Sequence, residues 1–349
     1  MHYTETTPRL LYLVGVLGLG GRSMRRREFI AMLGGAAALP VAARAQQSTV
    51  PVVGFLHAGL SSAHAHVVSA FRQGLKESGY IEGQNVAIEY RWTNNENDRL
   101  PELAADLVRR RVAVIAAAGG APSALAAKAA TSTIPIVLVF GSDPVRLGLV
   151  DTLSRPGGNV TGVTFVTTEL MAKRLDLLRE LVPHATTVAY LADGRSPVGQ
   201  DMLRDMQAAA TTLKRQLAVM EVRSDLDFEP AFATFDQRQA GALVVGASPL
   251  FDSNRNKLVA LAAHHKIPTI YQAREYVLDG GLMSYGAGYA NVFRLGGLYV
   301  GHILKGAKPA DLPVEESARF ELLINLETAK SLGLEVPLSL LIRADELIE

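Results

Sequence analysis

The chain has 349 residues with 35 basic and 34 acidic side chains, 48% apolar and 20% charged, which is a globular balance with room for two cores and no signature of disorder. Aromatic residues make up 6%, with Trp92 the single tryptophan, and this excludes broad stacking surfaces for single-stranded nucleic acid. The absence of cysteine excludes disulfides, thiolate metal sites, a thiol nucleophile and a lipid-bearing cysteine.

Residues 1–45 read as an address. Arg25-Arg26-Arg27-Glu28-Phe29-Ile30 precedes a soft apolar run that ends in Ala43-Arg44-Ala45, giving a charged region, an apolar region and a small-x-small cleavage site. The pattern from Arg26 to Ile30 points to the twin-arginine route, with an ordinary secretory signal as the alternative; both carry the protein across a membrane. Leu10 to Gly21 is apolar but falls short of the roughly 20 residues that span a bilayer, and Met24 is the expected true start. Removal of residues 1–45 takes away six arginines and two glutamates, leaving 29 basic and 32 acidic residues, a net charge of about −3. No basic surplus then remains to neutralise phosphates, so nucleic acid is not an expected partner. Later apolar runs are too short to span, and no membrane anchor is expected.

From residue 52 a strand and helix alternation begins and is then repeated. Strands are predicted at Val52 to Leu56, Val86 to Tyr90, Val112 to Ala116 and Thr133 to Val137, with helical runs between them. About 135 residues later the order returns at Thr187 to Leu191, Leu217 to Val222, Ala242 to Val245 and Lys266 to Ile270, with Ile134-Pro135 and Ile267-Pro268 at equivalent places. The repeat predicts an α/β chain of two similar doubly wound parallel-sheet lobes with a crevice between them.

Four strand ends carry a small or polar residue followed by proline: Ala121-Pro122, Asp143-Pro144, Ser196-Pro197 and Ser248-Pro249. Such pairs start helices, because the first residue can accept an orphan N–H and proline lacks one. Helix N-termini at the carboxyl ends of parallel strands favour anionic oxygen, although plain capping explains each pair alone. The Gly119-Gly120-Ala121-Pro122-Ser123 stretch lets backbone approach a ligand, but it lacks the G-x-G-x-x-G spacing and a Walker lysine, so no nucleotide cofactor is expected. Arg155 to Gly162 and Ser284 to Gly288 have the small residues that a hinge or an ordinary turn needs.

Catalytic constellations are thin, with neither H-E-x-x-H nor G-x-S-x-G present. His64 and His66 read as a solvated helix surface, whereas His57 follows the first strand and can face the crevice. Asp143 and Asp193 are either a carboxylate pair across the cleft or a helix cap and a turn residue. Tyr271-Gln-Ala-Arg274-Glu275-Tyr276 follows the second Ile-Pro strand, where a tyrosine can cover an apolar ligand face and Arg274 can meet a carboxylate; local pairing and core packing are the plainer reading.

Ala70-Phe-Arg-Gln-Gly-Leu-Lys-Glu-Ser-Gly-Tyr80 with Glu82-Gly-Gln-Asn-Val86, Arg155-Pro-Gly-Gly-Asn-Val-Thr-Gly162, Gly280-Gly-Leu-Met-Ser-Tyr-Gly286 and Ile303-Leu-Lys-Gly-Ala-Lys-Pro-Ala-Asp-Leu-Pro313 carry a resemblance. From about Val52 to the C-terminus the chain resembles ABC transporter substrate-binding proteins of the tryptophan/tyrosine-binding type. The resemblance implies a type I periplasmic binding fold with three hinge crossings, a solute held between the lobes, and partners in a membrane permease and its cytoplasmic ATPase. It leaves the solute unnamed, and the missing lipid-anchor cysteine points to a free periplasmic protein, expected as a monomer.

The resulting expectation is a signal over 1–45, a first lobe of 46–162 plus 285–312, a second lobe of 163–284, and a C-terminal segment of 313–349 packing across both. Candidate ligand contacts are Ser61, Ser62, Gly120, Ala121, Ser123 and Asp143 from the first lobe, and Ser196, Ser248, Tyr271 and Arg274 from the second. Their roles are hydroxyl and N–H donors to a carboxylate, an aromatic cover and a charge partner, with no metal, no cofactor and no catalysis expected. An exported sensor, or a cleft enzyme using His57, Asp143 and Asp193, stays open as an alternative. A repressor-type regulator would need a basic helix-turn-helix where residues 1–45 carry a signal.

Overall fold

The computed structural model describes residues 50–165, 168–317 and 320–349, so the export segment lies outside the described residues. The first lobe runs through β1 (Val52–His57), α1 (Ala65–Glu77), β2 (Ala87–Trp92), α2 (Leu100–Arg109), β3 (Val114–Ala118), α3 (Ala121–Ala130), β4 (Ile136–Phe140) and β5 (Val160–Thr164). The second follows with α4 (Thr168–Leu181), β6 (Thr187–Asp193), α5 (Gly199–Thr212), β7 (Gln216–Val222), α6 (Phe228–Gln237), β8 (Ala242–Val245), α7 (Pro249–Ser253), α8 (Arg255–His264), β9 (Thr269–Tyr271), α9 (Arg274–Leu278) and β10 (Met283–Ala287). The remainder comprises α10 (Tyr289–Leu304), β11 (Glu315–Glu316), β12 (Phe320–Asn325), α11 (Leu326–Ser331), α12 (Leu338–Arg343) and β13 (Glu346–Ile348).

The two sheets have the orders β11-β5-β4-β3-β1-β2 and β13-β12-β10-β9-β8-β6-β7. Within each, the first five strands of the lobe follow one pattern, 2-1-3-4-5, and every pairing among them is parallel. The chain therefore folds as the repeated, doubly wound α/β architecture that the sequence predicts. Parallel strands covered by helices on both faces must be apolar throughout, and β3, β4 and β8 are short Val, Ile, Leu, Ala and Phe runs that are wholly buried.

The Ile-Pro dipeptides mark strand starts rather than strand interiors. Pro135 and Pro268 cannot donate to a ladder, but their carbonyls accept from Ile115 N at 2.9 Å and Leu243 N at 2.8 Å, and β4 and β9 begin at the next residue. The predicted strands at 133–137 and 266–270 accordingly begin three residues later, at Ile136 and Thr269.

By sheet membership the chain leaves the first sheet after β5, leaves the second after β10, and passes from β11 of the first to β12 of the second. The two glycine-containing stretches read as hinges or turns overlap strands, Arg155 to Gly162 running into β5 and Ser284 to Gly288 out of β10. The C-terminal segment 313–349 divides between the two sheets: β11 joins the edge of the first, while β12 and β13 extend the second. The antiparallel β12 covers the otherwise open backbone edge of β10, which would present unpaired N–H and C=O groups.

In the first lobe α10 returns to lie against α1. Glycines permit the close approach, since a Cβ on Gly74 would stand 1.8 Å from the Arg294 carbonyl oxygen and one on Gly297 would stand 2.1 Å from that of Phe71. On α1 the buried Val67, Phe71 and Leu75 recur at four-residue spacing, the apolar stripe a helix needs to seat on a sheet.

Candidate functional site

The carboxyl ends of the strands from both lobes converge on one cavity. From the first lobe come His57 at the end of β1, Gly119 and Gly120 between β3 and α3, Ala121 and Pro122 at the start of α3, Val139 to Ser142 at the end of β4, and Phe165 after β5. The second lobe supplies Asp193 at the end of β6, Ser196 after it, Ala247 and Ser248 after β8, and Pro249 and Asp252 on α7. Tyr289 and Phe293 line it from the first turns of α10. In open parallel sheets this is the edge at which ligands bind, because the connections diverge where the strand order reverses. The space open to the centre of a water molecule is about 90 Å³ and is lined from both lobes.

Each wall has its own chemistry. Phe140, Phe165, Tyr289 and Phe293 make an aromatic surface. Gly119 and Gly120 adopt φ of 76° and 102°, a region that favours glycine, and they lead straight into α3. The first-turn N–H groups of this ten-residue helix have no intrahelical acceptors, and its positive dipole end meets the cavity. Ser123 is wholly buried in that turn, and its Oγ has no hydrogen-bond partner among the described residues.

Asp252, with Asp193, is one of two carboxylates on the opposite wall. Gln272 Nε2 and the Tyr276 hydroxyl donate to its Oδ1 at 2.6 and 3.1 Å, while Oδ2 accepts no hydrogen bond among the described residues. No cation of the described residues pairs with it; the nearby Arg255 pairs with Asp279, and Arg274 with Glu321. Desolvation pushes its pKa up to about 7, with the neighbouring Glu275 charge adding to the rise and the two donors and Arg255 opposing it. The residue keeps a part-buried surface because its open side is the cavity. Behind it, Arg174 of α4 is fully buried; its Nε donates to the Tyr285 carbonyl at 2.7 Å, and its Nη1 has no partner among the described residues. Burial lowers the Arg174 pKa to about 10.

The cleft rim is closed by polar contacts between lobes. Ser253 Oγ accepts from Leu60 N at 3.2 Å and donates to Asn95 Oδ1 at 3.1 Å. Arg195 Nη1 donates to the Asn95 carbonyl at 3.0 Å, and Arg255 Nη1 to that of Ala63 at 3.2 Å. Asn94 and Asn95 hold φ of 56° and 68°, which asparagine tolerates better than most residues, and this turns the loop toward the second lobe. His66 and Glu275 also pair across the rim at 3.2 Å, as do Arg146 and Asp201 at 3.0 Å.

The cavity brings together Gly120, Ala121, Ser196 and Ser248 of the sequence-predicted residues, and also His57 and Asp193. The remaining candidates stand elsewhere. Ser61 and Ser62 are exposed on the turn before α1, and Ser123 lies one layer behind the wall. Asp143 accepts from Val145 N and Arg146 N and caps a turn rather than a helix, so it makes no carboxylate pair with Asp193. Tyr271 is buried and stacks on Tyr276 at 4.6 Å in the second-lobe core. Arg274 is spent on Glu321 at 2.9 Å and Glu346 at 2.6 Å, tying α9 to β12 and β13; it does not reach the cavity. His64, expected on a solvated helix face, is instead 5% exposed on the cavity wall, because the chain makes a 3-10 turn before α1 begins. Sequence reasoning missed Asp252 and Arg174, which sit inside helices with no local pattern to mark them.

Among the described residues no group of three or more His, Asp or Glu could hold a metal ion, and no helix is long and apolar enough to cross a membrane. A tyrosine-binding protein of Clostridioides difficile is 28% identical over 270 residues, covering 76% of each chain. Two solved structures share the fold at 24% identity, each matched over 86% of this chain and all of its own. One is a conserved domain protein of Vibrio cholerae with a TM-score of 0.79; the other is an ABC domain of Streptococcus pneumoniae in complex with L-Trp, with a TM-score of 0.78. The family model for ABC transporter substrate binding proteins matches residues 56–348, nearly all of the described chain and the whole of the cleft, and the chain belongs to that family.

Proposed function

We propose that the chain is the periplasmic solute receptor of an ABC importer, and that its solute is a small amino acid with an aromatic side chain. The observation that carries the solute class is Asp252: a desolvated carboxylate on the cavity wall, with one oxygen unspent and no cation among the described residues paired with it. An ammonium group supplies the missing charge and hydrogen bonds, since a buried charge is tolerated only when it is paired. The solute carboxylate is suited to the N-terminus of α3 with Ser196 or Ser248 as hydroxyl donors, and the Phe140, Phe165, Tyr289 and Phe293 wall takes the ring. The tyrosine-binding relative and the L-Trp complex agree with this class.

Contacts from both lobes exist together only when the cleft is shut, so solute binding shifts an open and closed equilibrium toward the closed form. The closed receptor then docks as a monomer on a permease driven by a cytoplasmic ATPase and releases the solute unchanged. Titration calorimetry with L-phenylalanine, 3-phenylpropionate and phenethylamine tests the reading. Binding of the amino acid well above both truncated analogues supports it. Equal binding of phenylpropionate removes the ammonium site and moves the solute class to aromatic carboxylates, while turnover of a bound compound would favour a cleft enzyme.

A further inference from the structure

Two histidines on the cavity wall have their protons fixed in opposite senses by the backbone. Gly59 N donates to His57 Nδ1 at 2.9 Å, so that nitrogen is bare and the neutral ring carries its proton on Nε2. His64 Nδ1 lies 2.8 Å from the Leu60 carbonyl oxygen, which can only accept, so the proton is on Nδ1 and Nε2 is bare. Both rings stay neutral because burial lowers their proton affinities, that of His64 to about 4. The ring centroids are 4.3 Å apart, and no hydrogen bond among the described residues uses either Nε2.

The pair is built in rather than incidental. A Cβ at Gly59 would stand 2.6 Å from the His64 ring and one at Gly119 2.7 Å from the His57 ring, so two glycines make the space these rings occupy. Trp92 and Phe293 pack around His57 at 4.6 and 6.4 Å, leaving an apolar surround with one free donor and one free acceptor.

We propose that His57 and His64 form a hydroxyl-reading pair, in which a phenolic hydroxyl on the solute ring accepts from His57 Nε2–H and donates to His64 Nε2. A hydroxyl satisfies both at once through a single atom. A carboxylate leaves the bare His64 nitrogen unmet, and an ammonium leaves the His57 N–H unmet. The inference rests on the aromatic amino acid reading above and narrows it to a ring with a hydroxyl.

The experiment is calorimetric titration of the purified protein with L-tyrosine, L-phenylalanine and 4-fluoro-L-phenylalanine. The last has a substituent at the same ring position but cannot donate. Tyrosine is expected to bind at least tenfold more tightly than either analogue, since the two others strand a buried polar group. His64→Phe is expected to bring the three affinities within about threefold of one another while phenylalanine binding persists. Should that variant fail to fold, His64→Gln, which keeps an acceptor, is expected to retain the tyrosine preference. Equal affinities in the wild type, or an unchanged preference in His64→Phe, would overturn the hydroxyl reading and leave the amino acid receptor standing. Failure of all three ligands to bind would overturn both.

Discussion

Replacing Asp252 by asparagine separates the two consequences of a desolvated, unpaired carboxylate. Its pKa is moved from 3.8 to about 7 by burial. The folded protein therefore holds this proton more tightly than the unfolded chain, and stability falls as pH rises from about 4 through about 7, with the loss complete above that window. At 1.36 kcal/mol per pH unit the ceiling is about 4 kcal/mol, and water in the open cavity screens it to on the order of 1–2 kcal/mol. Asp252→Asn in the ligand-free protein should thus be more stable than the wild type at pH 8 and indistinguishable near pH 4, as read by urea unfolding.

Ligand binding reverses the sign. The variant loses the ammonium partner and should bind the solute amino acid on the order of 100-fold more weakly at pH 8, about 3 kcal/mol, the loss expected when one member of a buried charge pair is removed. Wild-type affinity should rise as pH increases from 5.5 to 7.5, because binding requires the ionised carboxylate and releases its proton. The variant should be flat over the same range. A variant that binds as tightly as the wild type, or that is less stable at pH 8 without ligand, would refute the assignment of Asp252 as an unpaired cation acceptor.

Other substitutions probe the remaining parts of the account. Gly119→Ala forces a side chain into φ of 76° and against the His57 ring at 2.7 Å; a stability loss of about 1–3 kcal/mol is expected by denaturant titration, together with weaker solute binding. Gly297→Leu wedges α10 away from α1, because its Cβ alone would stand 2.1 Å from the Phe71 carbonyl oxygen, and should cost about 3 kcal/mol or abolish folding of the first lobe as followed by circular dichroism. Arg255→Ala removes a rim contact to the Ala63 carbonyl and the pair with Asp279; solute dissociation should quicken several-fold in stopped-flow traces while stability changes by less than about 1 kcal/mol. Arg274→Ala, which breaks part-exposed pairs with Glu321 and Glu346 away from the cavity wall, should leave affinity unchanged and cost at most about 1 kcal/mol.

The architecture is legible in the sequence because the signal behind it is collective. Buried parallel strands must be apolar along their whole length, so β1, β4, β6 and β8 stand out as runs, and their recurrence after about 135 residues announces a second lobe. The short β11 and β13 lack that length and depend on neighbouring strands for their pairing, which local pattern does not encode. Site residues next to strand ends, such as His57, Gly120, Ser196 and Ser248, are readable from topology alone.

Residues one helical turn further on are not. Asp252 looks like any acidic residue of a first turn, and only the tertiary placement of Gln272 and Tyr276 shows that it faces inward. Arg274 illustrates the opposite error: it follows a strand end as a ligand clamp would, yet its partners Glu321 and Glu346 come from strands 47 and 72 residues further along the chain. The inward place of His64 depends on a 3-10 turn that rotates it relative to a continuous helix, and helical periodicity alone gives no sign of that turn.

The most direct test of the central claim is a crystal structure of the protein with an aromatic L-amino acid. The ligand is expected in the inter-lobe cavity, its ammonium within hydrogen-bonding distance of Asp252 Oδ2 and its carboxylate against the N-terminus of α3. A ligand that leaves Asp252 unpaired, or that binds outside this cavity, would contradict the claim.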